Sequence, residues 1–416
     1  MKAAAEGIGC GLRFPRPSPK EGTGVDKVVL SLGMGVDSVG VLTRFLLEPE
    51  TRDFKLDDLI VMTAMTGDEF TETAEHMEQF ILPLMRKFSV RYVQLSRGGP
   101  LASSRYAVLD DSRQPKRMHM VGPWRLRDEQ LGNGTVPQFA HGKRICSVKS
   151  KADPLEWWKE DHLAGLTYQH ILGFSAEEGH RILKDSTYTS ASRHARFPLA
   201  EWGWTRADTL GYLHEVFGTT WPRSCCVYCP FAASDAEHLA DRWRREPKGA
   251  VLALLMERRA MALNPRATLF SRTSAVQFAI DHRLYRVLAL AEEALRRETW
   301  ALYDVRRIYH AAVDKKTGRR IPTKKGTAWR SVKTLSEGSR QQMIAELHRR
   351  ARAHGTEAQA DDFAIMRAQL CTPDPERFPT TERFLSVGPA GVHDKERRSF
   401  HSLWTRLADQ TSLFMA

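Results

Sequence analysis

The sequence predicts an α/β protein built on an open, doubly wound parallel sheet and continued by a mainly helical, basic C-terminal domain. Three observations predict it. The apolar, β-branched runs VVLSL (28–32), DLIVMTA (58–64) and VRYVQL (90–95) read as strands, and the stretches between them, 38–47 and 71–88, carry apolar residues on one helical face. Strands alternating with helices at this spacing form parallel sheets, whose ligands sit beyond the carboxyl ends of the strands. A glycine-punctuated turn, GMGVDS (33–38), follows the first strand directly, and a second turn, TGDE (66–69), follows the next. Both turns are expected to face one pocket.

In chain order, residues 1–24 have no sustained apolar stretch and read as a flexible leader, not a signal peptide. The α/β domain spans 25–235. Thr71 is the expected N-cap of the 71–88 helix. Within the domain, 96–145 lacks a long periodic segment and is rich in Gly, Pro and Arg, so it reads as a long insertion that closes over the site as a lid, or as a solvated loop. Its cations Arg97, Arg105, Arg113, Lys116, Arg117, Arg125, Arg127, Lys143 and Arg144 would offer counter-charge to phosphates. The sheet resumes at YQHILGFS (168–175), and helix 205–217 is expected to be capped by Thr205 and ended by Gly218. The C-terminal domain, 236–416, opens with helices over 233–299. A basic hairpin is expected over 300–335 around a Lys-Lys-Thr-Gly turn, followed by helices near 337–354 and 358–370.

Composition bounds the rest. With 416 residues, 42% apolar and 27% charged, the chain is long enough for two cores and is not disordered overall. No apolar run approaches the roughly 18 to 20 residues of a membrane span, and a cytoplasmic location is expected. The net charge of +12 is concentrated: residues 301–352 hold 14 Lys and Arg against 4 acids. A local excess of this kind suits a polyanion. Arg306, Arg307, Lys315, Lys316, Arg319, Arg320, Lys324, Lys325 and Arg330, interleaved with Tyr303, Tyr309 and Trp329, are the candidate nucleic-acid contacts. The alternative is a solvated basic face with its aromatics turned into the core.

The strand–turn–helix unit at 28–47 is the arrangement in which backbone N–H groups and the positive end of a helix converge on an anion. Gly33 and Gly35 permit the tight turn, Ser31 and Ser38 add hydroxyls, and Asp37 can orient the loop or a metal-bound water. No Gly-Lys-Ser/Thr is present, so the P-loop of kinases and GTPases is excluded.

The loop resembles the pyrophosphatase loop of PP-loop ATPases, and the chain around it is similar to the phosphoadenosine-phosphosulfate (PAPS) reductase branch of that superfamily. Four further segments carry the resemblance in the family's order. They are LIVMTAMTGDEFTET (59–73), GKRICSVKSKADPL (142–155), GFSAEEGHR (173–181), and FPLAEWGWTRADTLGYLHEVFG (197–218) with CCVYCPF (225–231). The family's loop is Ser-Gly-Gly-x-Asp-Ser, whereas Gly33 and Met34 hold its first two places here. The resemblance implies a PP-loop fold that binds an adenine nucleotide and cleaves the α–β bond of ATP with Mg²⁺. Ser31, Gly33, Met34, Gly35, Val36, Asp37, Ser38, Thr66, Gly67, Asp68, Glu69 and Gly173 would line that site. Asp37, Lys149 and Arg181 are its candidate catalytic residues. On the residues alone, Asp68 and Glu69 are equally N-capping acids for the next helix, and Arg181 is equally a surface ion pair with Glu177.

Three of the six cysteines, Cys225, Cys226 and Cys229, fall within five positions, which points to metal ligation in a reducing compartment. In iron-sulfur members of the family the ligands come in two groups. The resemblance therefore implies a [4Fe-4S] cluster held by these three and Cys146. Zn²⁺ on the same four thiolates is the alternative, and unliganded core cysteines are the third reading. The family's reductases carry a Glu-Cys-Gly-(Ile/Leu)-His tail, which DQTSLFMA does not match, so sulfonucleotide reduction is demoted. The expectation is an ATP pyrophosphatase or adenylating enzyme acting in sulfur modification of DNA or tRNA, with a cysteine desulfurase or other sulfur donor as partner. A nucleic-acid-binding subunit with a structural nucleotide is the reading from another class.

Overall fold

The computed structural model describes residues 24–137, 139, 140 and 143–415. The expected leader and Cys10 lie outside them. The chain folds as two compact units: residues up to Leu126 with 142–226 form the first, and 127–141 with Val227–Ala416 form the second.

The first unit is built on a six-stranded sheet. Its strands are β1 (Lys27–Ser31), β2 (Leu59–Met65), β3 (Arg91–Arg97), β4 (Tyr106–Ser112), β5 (Tyr168–Ile171) and β6 (Arg193–Arg196), in the order β4-β3-β2-β1-β5-β6. All pairings are parallel except the antiparallel β3–β4 edge. The chain moves from β1 outward through β2 to β3 and returns to the other side of β1 at β5. That reversal opens a crevice at the carboxyl ends of β1 and β5. β2 is buried at every position, as a central parallel strand between two layers must be.

Helices cover both faces. On one, Val28, Leu30, Leu59 and Val61 pack with Val39, Leu42 and Phe45 of α1 (Val36–Leu47) and with Leu82 and Met85 of the segment after β2. That segment runs as α2 (Thr71–His76), a π turn (Met77–Ile81) and α3 (Leu82–Lys87). Thr71 is its first helical residue, and the cap position falls to Phe70, which offers no side-chain bond. On the other face Val29, Ile60, Val93 and Leu95 meet Trp158 of α4 (Asp153–His162). Phe45 and Trp158 are fully buried, and truncating either to Ala would cost about 3–5 kcal/mol.

Part of the segment read as a long insertion belongs to the sheet. Its first third continues β3 to Arg97 and returns as β4, because Tyr106–Ser112 finds an unpaired strand edge to complete. β6 is a charged edge strand that sequence analysis did not identify, and α5 (Gly179–Ser186) precedes it. Helix α6 (Arg206–Phe217) meets its expectation. Thr205 and Asp208 form a reciprocal capping box, and Gly218 closes the helix in the left-handed conformation.

The second unit begins helically with α7 (Ala236–Arg245), α8 (Pro247–Leu263), α9 (Ala275–Asp281) and α10 (Tyr285–Arg297). It then departs from the mainly helical expectation. From residue 300 it is organised on a five-stranded antiparallel sheet, order β8-β7-β11-β10-β9, made of β7 (Trp300–Val313), β8 (Arg320–Gly338), β9 (Ala358–Ala360), β10 (Met366–Cys371) and β11 (Thr380–Pro389). The hairpin expected over 300–335 is β7–β8. The helix expected at 358–370 is instead β9 and β10, whose residues Met366, Ala368 and Leu370 alternate onto the sheet face that α11 (Arg340–Ala353) covers.

Candidate functional site

β1 ends at Ser31, and α1 starts only five residues later, so the chain must reverse within Leu32–Gly35. Met34 sits in the left-handed region at φ 61°, where a side chain is strained by about 1–3 kcal/mol. Complete burial of its thioether chain, and a bond from Trp221 Nε1 to its carbonyl at 3.0 Å, hold it there. Gly33 N–H donates to Ser38 Oγ at 3.0 Å, and Ser38 donates to the Gly35 carbonyl at 3.3 Å. The Ser38 hydroxyl is thus committed to the loop itself. Gly35 caps α1 with no side-chain bond, so no side chain of the cap residue satisfies the first N–H groups of the helix.

Two other segments close on this turn, and one of them bridges to the TGDE turn. Gly173, just beyond β5, lies so close that a Cβ would stand 2.7 Å from Ser38 N and 2.9 Å from the Asp37 carbonyl carbon. Ser224 Oγ donates to the Gly33 carbonyl at 2.8 Å, and the Cys226 backbone bridges antiparallel to Glu69. The loop, the TGDE turn and the cysteine-bearing segment are therefore neighbours in the first unit.

The TGDE turn is held by its own acid. The Glu69 carboxylate accepts from Thr66 N (3.0 Å), Thr66 Oγ1 (2.8 Å) and Gly67 N (3.2 Å), with Lys151 Nζ at 3.8 Å. Glu69 is thus neither a helix cap nor an open metal ligand. Asp68, also buried, is the other carboxylate of the turn. Gly67 adopts φ 96°, and the stem of Arg125 occupies the space a Cβ there would need.

The crevice is charged on both sides. Asp37 Oδ2 accepts from Arg206 at 3.0 Å, while its Oδ1 is buried with no hydrogen-bond partner among the described residues. Burial pushes its carboxyl above the ordinary aspartate range, against the opposing pull of Arg206. Arg181 pairs with Glu178 at 2.5 Å, not with Glu177, and its guanidinium lies 4.1 Å from the Phe174 ring centre. Glu177 accepts from the Arg206 N–H. The Lys149 carbonyl accepts from Arg97, on the π turn Val148–Ala152.

Several expected counter-charges hold structure instead. Arg97 is buried among the carbonyls of Gly99, Pro100 and Lys149, Arg105 pairs with Asp161 at 2.9 Å, and Arg113 bonds the Ser89 carbonyl. Lys116 and Arg117 remain exposed.

Of the candidate thiols, Cys225 is buried while Cys146, Cys226 and Cys229 are partly exposed; the first unit holds Cys146, Cys225 and Cys226, and the second holds Cys229. Among the described residues, no group of three or more His, Cys, Asp or Glu side chains is arranged to hold a metal ion.

The basic cluster of the second unit divides in two. Arg307 is buried, bonded to Glu382 at 2.9 Å and to the Leu263 carbonyl at the end of α8, where a cation suits the helix dipole. Arg306 pairs with Glu396 at 2.7 Å. Arg330 donates to the Asn133 carbonyl at 2.9 Å, and burial lowers its pKa to about 10. Tyr303 is buried with its hydroxyl on the Pro389 carbonyl, and Tyr309 donates to Glu382. Lys315, Lys316, Arg319, Arg320, Lys324 and Lys325 are exposed around the hairpin tip, so only these six remain as a polyanion surface.

Sequence reading missed Arg206, Ser224 and Trp221, which reach the loop from 169 to 191 residues away. A scan against protein-family models gives no match, and neither does a search of curated proteins or of solved structures. Among the described residues no helix is long and apolar enough to cross a membrane.

Proposed function

We propose that the first unit is a PP-loop nucleotide enzyme of PAPS-reductase type that binds ATP and breaks its α–β bond. The observation that carries this reading is a convergence at one point. The uncapped first turn of α1 lies directly beneath Gly173 and beside Asp37, whose buried Oδ1 has no partner among the described residues. Helix N-termini favour phosphate oxygens, and an orphaned carboxylate oxygen beside them favours a hard cation. Mg²⁺ fits Asp37 and Asp68 by donor chemistry, and when bound it would neutralise charge on the phosphates.

In the reaction proposed, an acceptor oxygen attacks the α-phosphorus, the α–β P–O bond breaks, and pyrophosphate leaves as the acceptor loses its proton. The amides of 34–38 would hold phosphate oxygens, and Arg206, Arg181 and Lys149 would offset charge on the leaving pyrophosphate. Arg206 must exchange Asp37 for phosphate to do so. The acceptor is proposed to be DNA or tRNA destined for sulfur modification, met by the six cations of the hairpin tip, with a cysteine desulfurase or other sulfur donor as partner. The donor set of Cys146, Cys225, Cys226 and Cys229 suits a [4Fe-4S] cluster or Zn²⁺. Because the described residues show no metal-holding arrangement of these thiols, no step is assigned to a metal there. Iron and sulfide analysis of anaerobically purified protein tests the cluster, and one zinc with no iron would overturn it.

Pyrophosphate release from ATP, with and without DNA or tRNA, tests the main reading. Absence of ATP binding in the presence of Mg²⁺ would overturn it. Sulfite formed from adenylyl sulfate or PAPS with thioredoxin would place the chain with the reductases instead.

A further inference from the structure

Behind the loop lies a buried chain of polar side chains that the proposed reaction does not use. Asp185 of α5 accepts from Arg193 Nη2 at 2.7 Å, Arg193 Nε donates to His170 Nδ1 at 2.9 Å, and His170 Nε2 stands 2.8 Å from Ser31 Oγ. His170 and Arg193 are both more than nine-tenths buried. β5 and β6 place the two side by side, and β1 delivers Ser31 at its carboxyl end.

The direction of the chain follows from proton counting. An arginine Nε always carries a hydrogen, so His170 Nδ1 must present its lone pair. The single ring proton of a neutral imidazole then resides on Nε2, and Ser31 Oγ receives it. Doubly protonated imidazole would set two N–H groups against each other, and burial together with Lys159 and Arg193 pushes the pKa of His170 well below the ordinary histidine value. Once Ser31 accepts from His170, its own hydroxyl proton is left to donate. Among the described residues, the His170 ring is the one side chain bonded to Ser31.

We infer that Asp185, Arg193 and His170 are positioning residues that fix Ser31 as a hydrogen-bond donor to a phosphate oxygen of the bound nucleotide, replacing the hydroxyl absent at Gly33. The inference rests on the nucleotide reading above and names how the loop recognises its guest. With its hydroxyl proton not engaged by His170, Ser31 is set to donate to an acceptor on the ligand.

The test has two readouts on the full chain. Selective ¹⁵N-histidine labelling, with His170→Gln used to assign the signal, reports the tautomer. A neutral ring protonated at Nε2 through pH 6 to 8 is expected, and protonation at Nδ1 would overturn the inference. Equilibrium binding of Mg-ATP is then compared among wild type, Ser31→Ala and Ser31→Thr. Ser31→Ala should weaken binding about tenfold or more, the loss of one hydrogen bond to a charged group, and Ser31→Thr should restore it. Wild-type binding with an unchanged Ser31→Ala affinity would overturn this inference and leave the nucleotide site standing. No binding by wild type would overturn both.

Discussion

A Cβ on Gly173 would stand 2.7 Å from the backbone nitrogen of Ser38, so the turn after β5 and the first turn of α1 touch without room for a methyl group. Both partners there are backbone and cannot swing aside. Gly173→Ala should therefore lower stability by about 1–3 kcal/mol and weaken ATP binding at least tenfold. Gly179→Ala, a substitution into open space in α5, is the control and should leave both unchanged or slightly raise stability. Urea unfolding and ATP titration of the two variants check this.

Asp37 carries a charge that its burial does not favour. Its folded pKa lies above the ordinary 3.8, so whatever stability it contributes is complete below that value and declines as pH rises through the folded pKa. At neutral pH, Asp37→Asn should match or exceed wild type in thermal stability while losing pyrophosphate release. Arg206, half exposed, loses little with its partner. A drop of several degrees in Tm would instead make Asp37 a structural ion pair.

The buried His170 predicts a pH dependence of the opposite sign. Its folded pKa lies below the ordinary 6.5, so the unfolded chain takes up this proton first. Stability from this group is complete above pH 6.5 and is lost as pH falls from there toward the folded value, by up to about 1.4 kcal/mol per pH unit. The positive charges of Lys159 and Arg193, which face it, act in the same direction as its burial. Urea midpoints between pH 7.5 and 5 should fall less steeply in His170→Gln than in wild type.

At the hairpin, neutralising Lys315, Lys316, Arg319, Arg320, Lys324 and Lys325 together should weaken DNA or tRNA binding and flatten its salt dependence, by roughly 0.9 in logarithmic slope for each phosphate no longer neutralised. Tm should hold. Arg307→Gln and Arg330→Gln should do the reverse, lowering stability because each leaves buried carbonyls without a donor. Because these six cations would meet phosphates and not base edges, binding is expected to discriminate little among sequences.

The sheet of the first unit was legible because its central strands are continuous apolar runs and its helices carry one apolar face. The Thr205 cap and the Gly218 stop of α6 were legible residue by residue, whereas Asp208, which completes the capping box, was not singled out. β6 was not, since RHAR at a sheet edge is charged and shows no apolar run. Residues 358–370 read as a helix from sequence, and the packing of Met366, Ala368 and Leu370 against α11 decided for strand. In the candidate site, Asp37, Gly173 and the TGDE turn were found from local motifs. Arg206, Ser224, Trp221 and Arg193 have no local signature, because their role arises only when distant segments meet. Met34 holds a positive φ although it is not glycine, and its burial anchors it there.

The central claim is that a nucleotide triphosphate occupies the turn after β1. Equilibrium dialysis of labelled ATP with Mg²⁺ tests it most directly, comparing wild type with Gly173→Ala. One saturable site per chain, weakened at least tenfold by the added methyl group, is predicted. Absence of saturable binding, or equal binding by the two proteins, would contradict it.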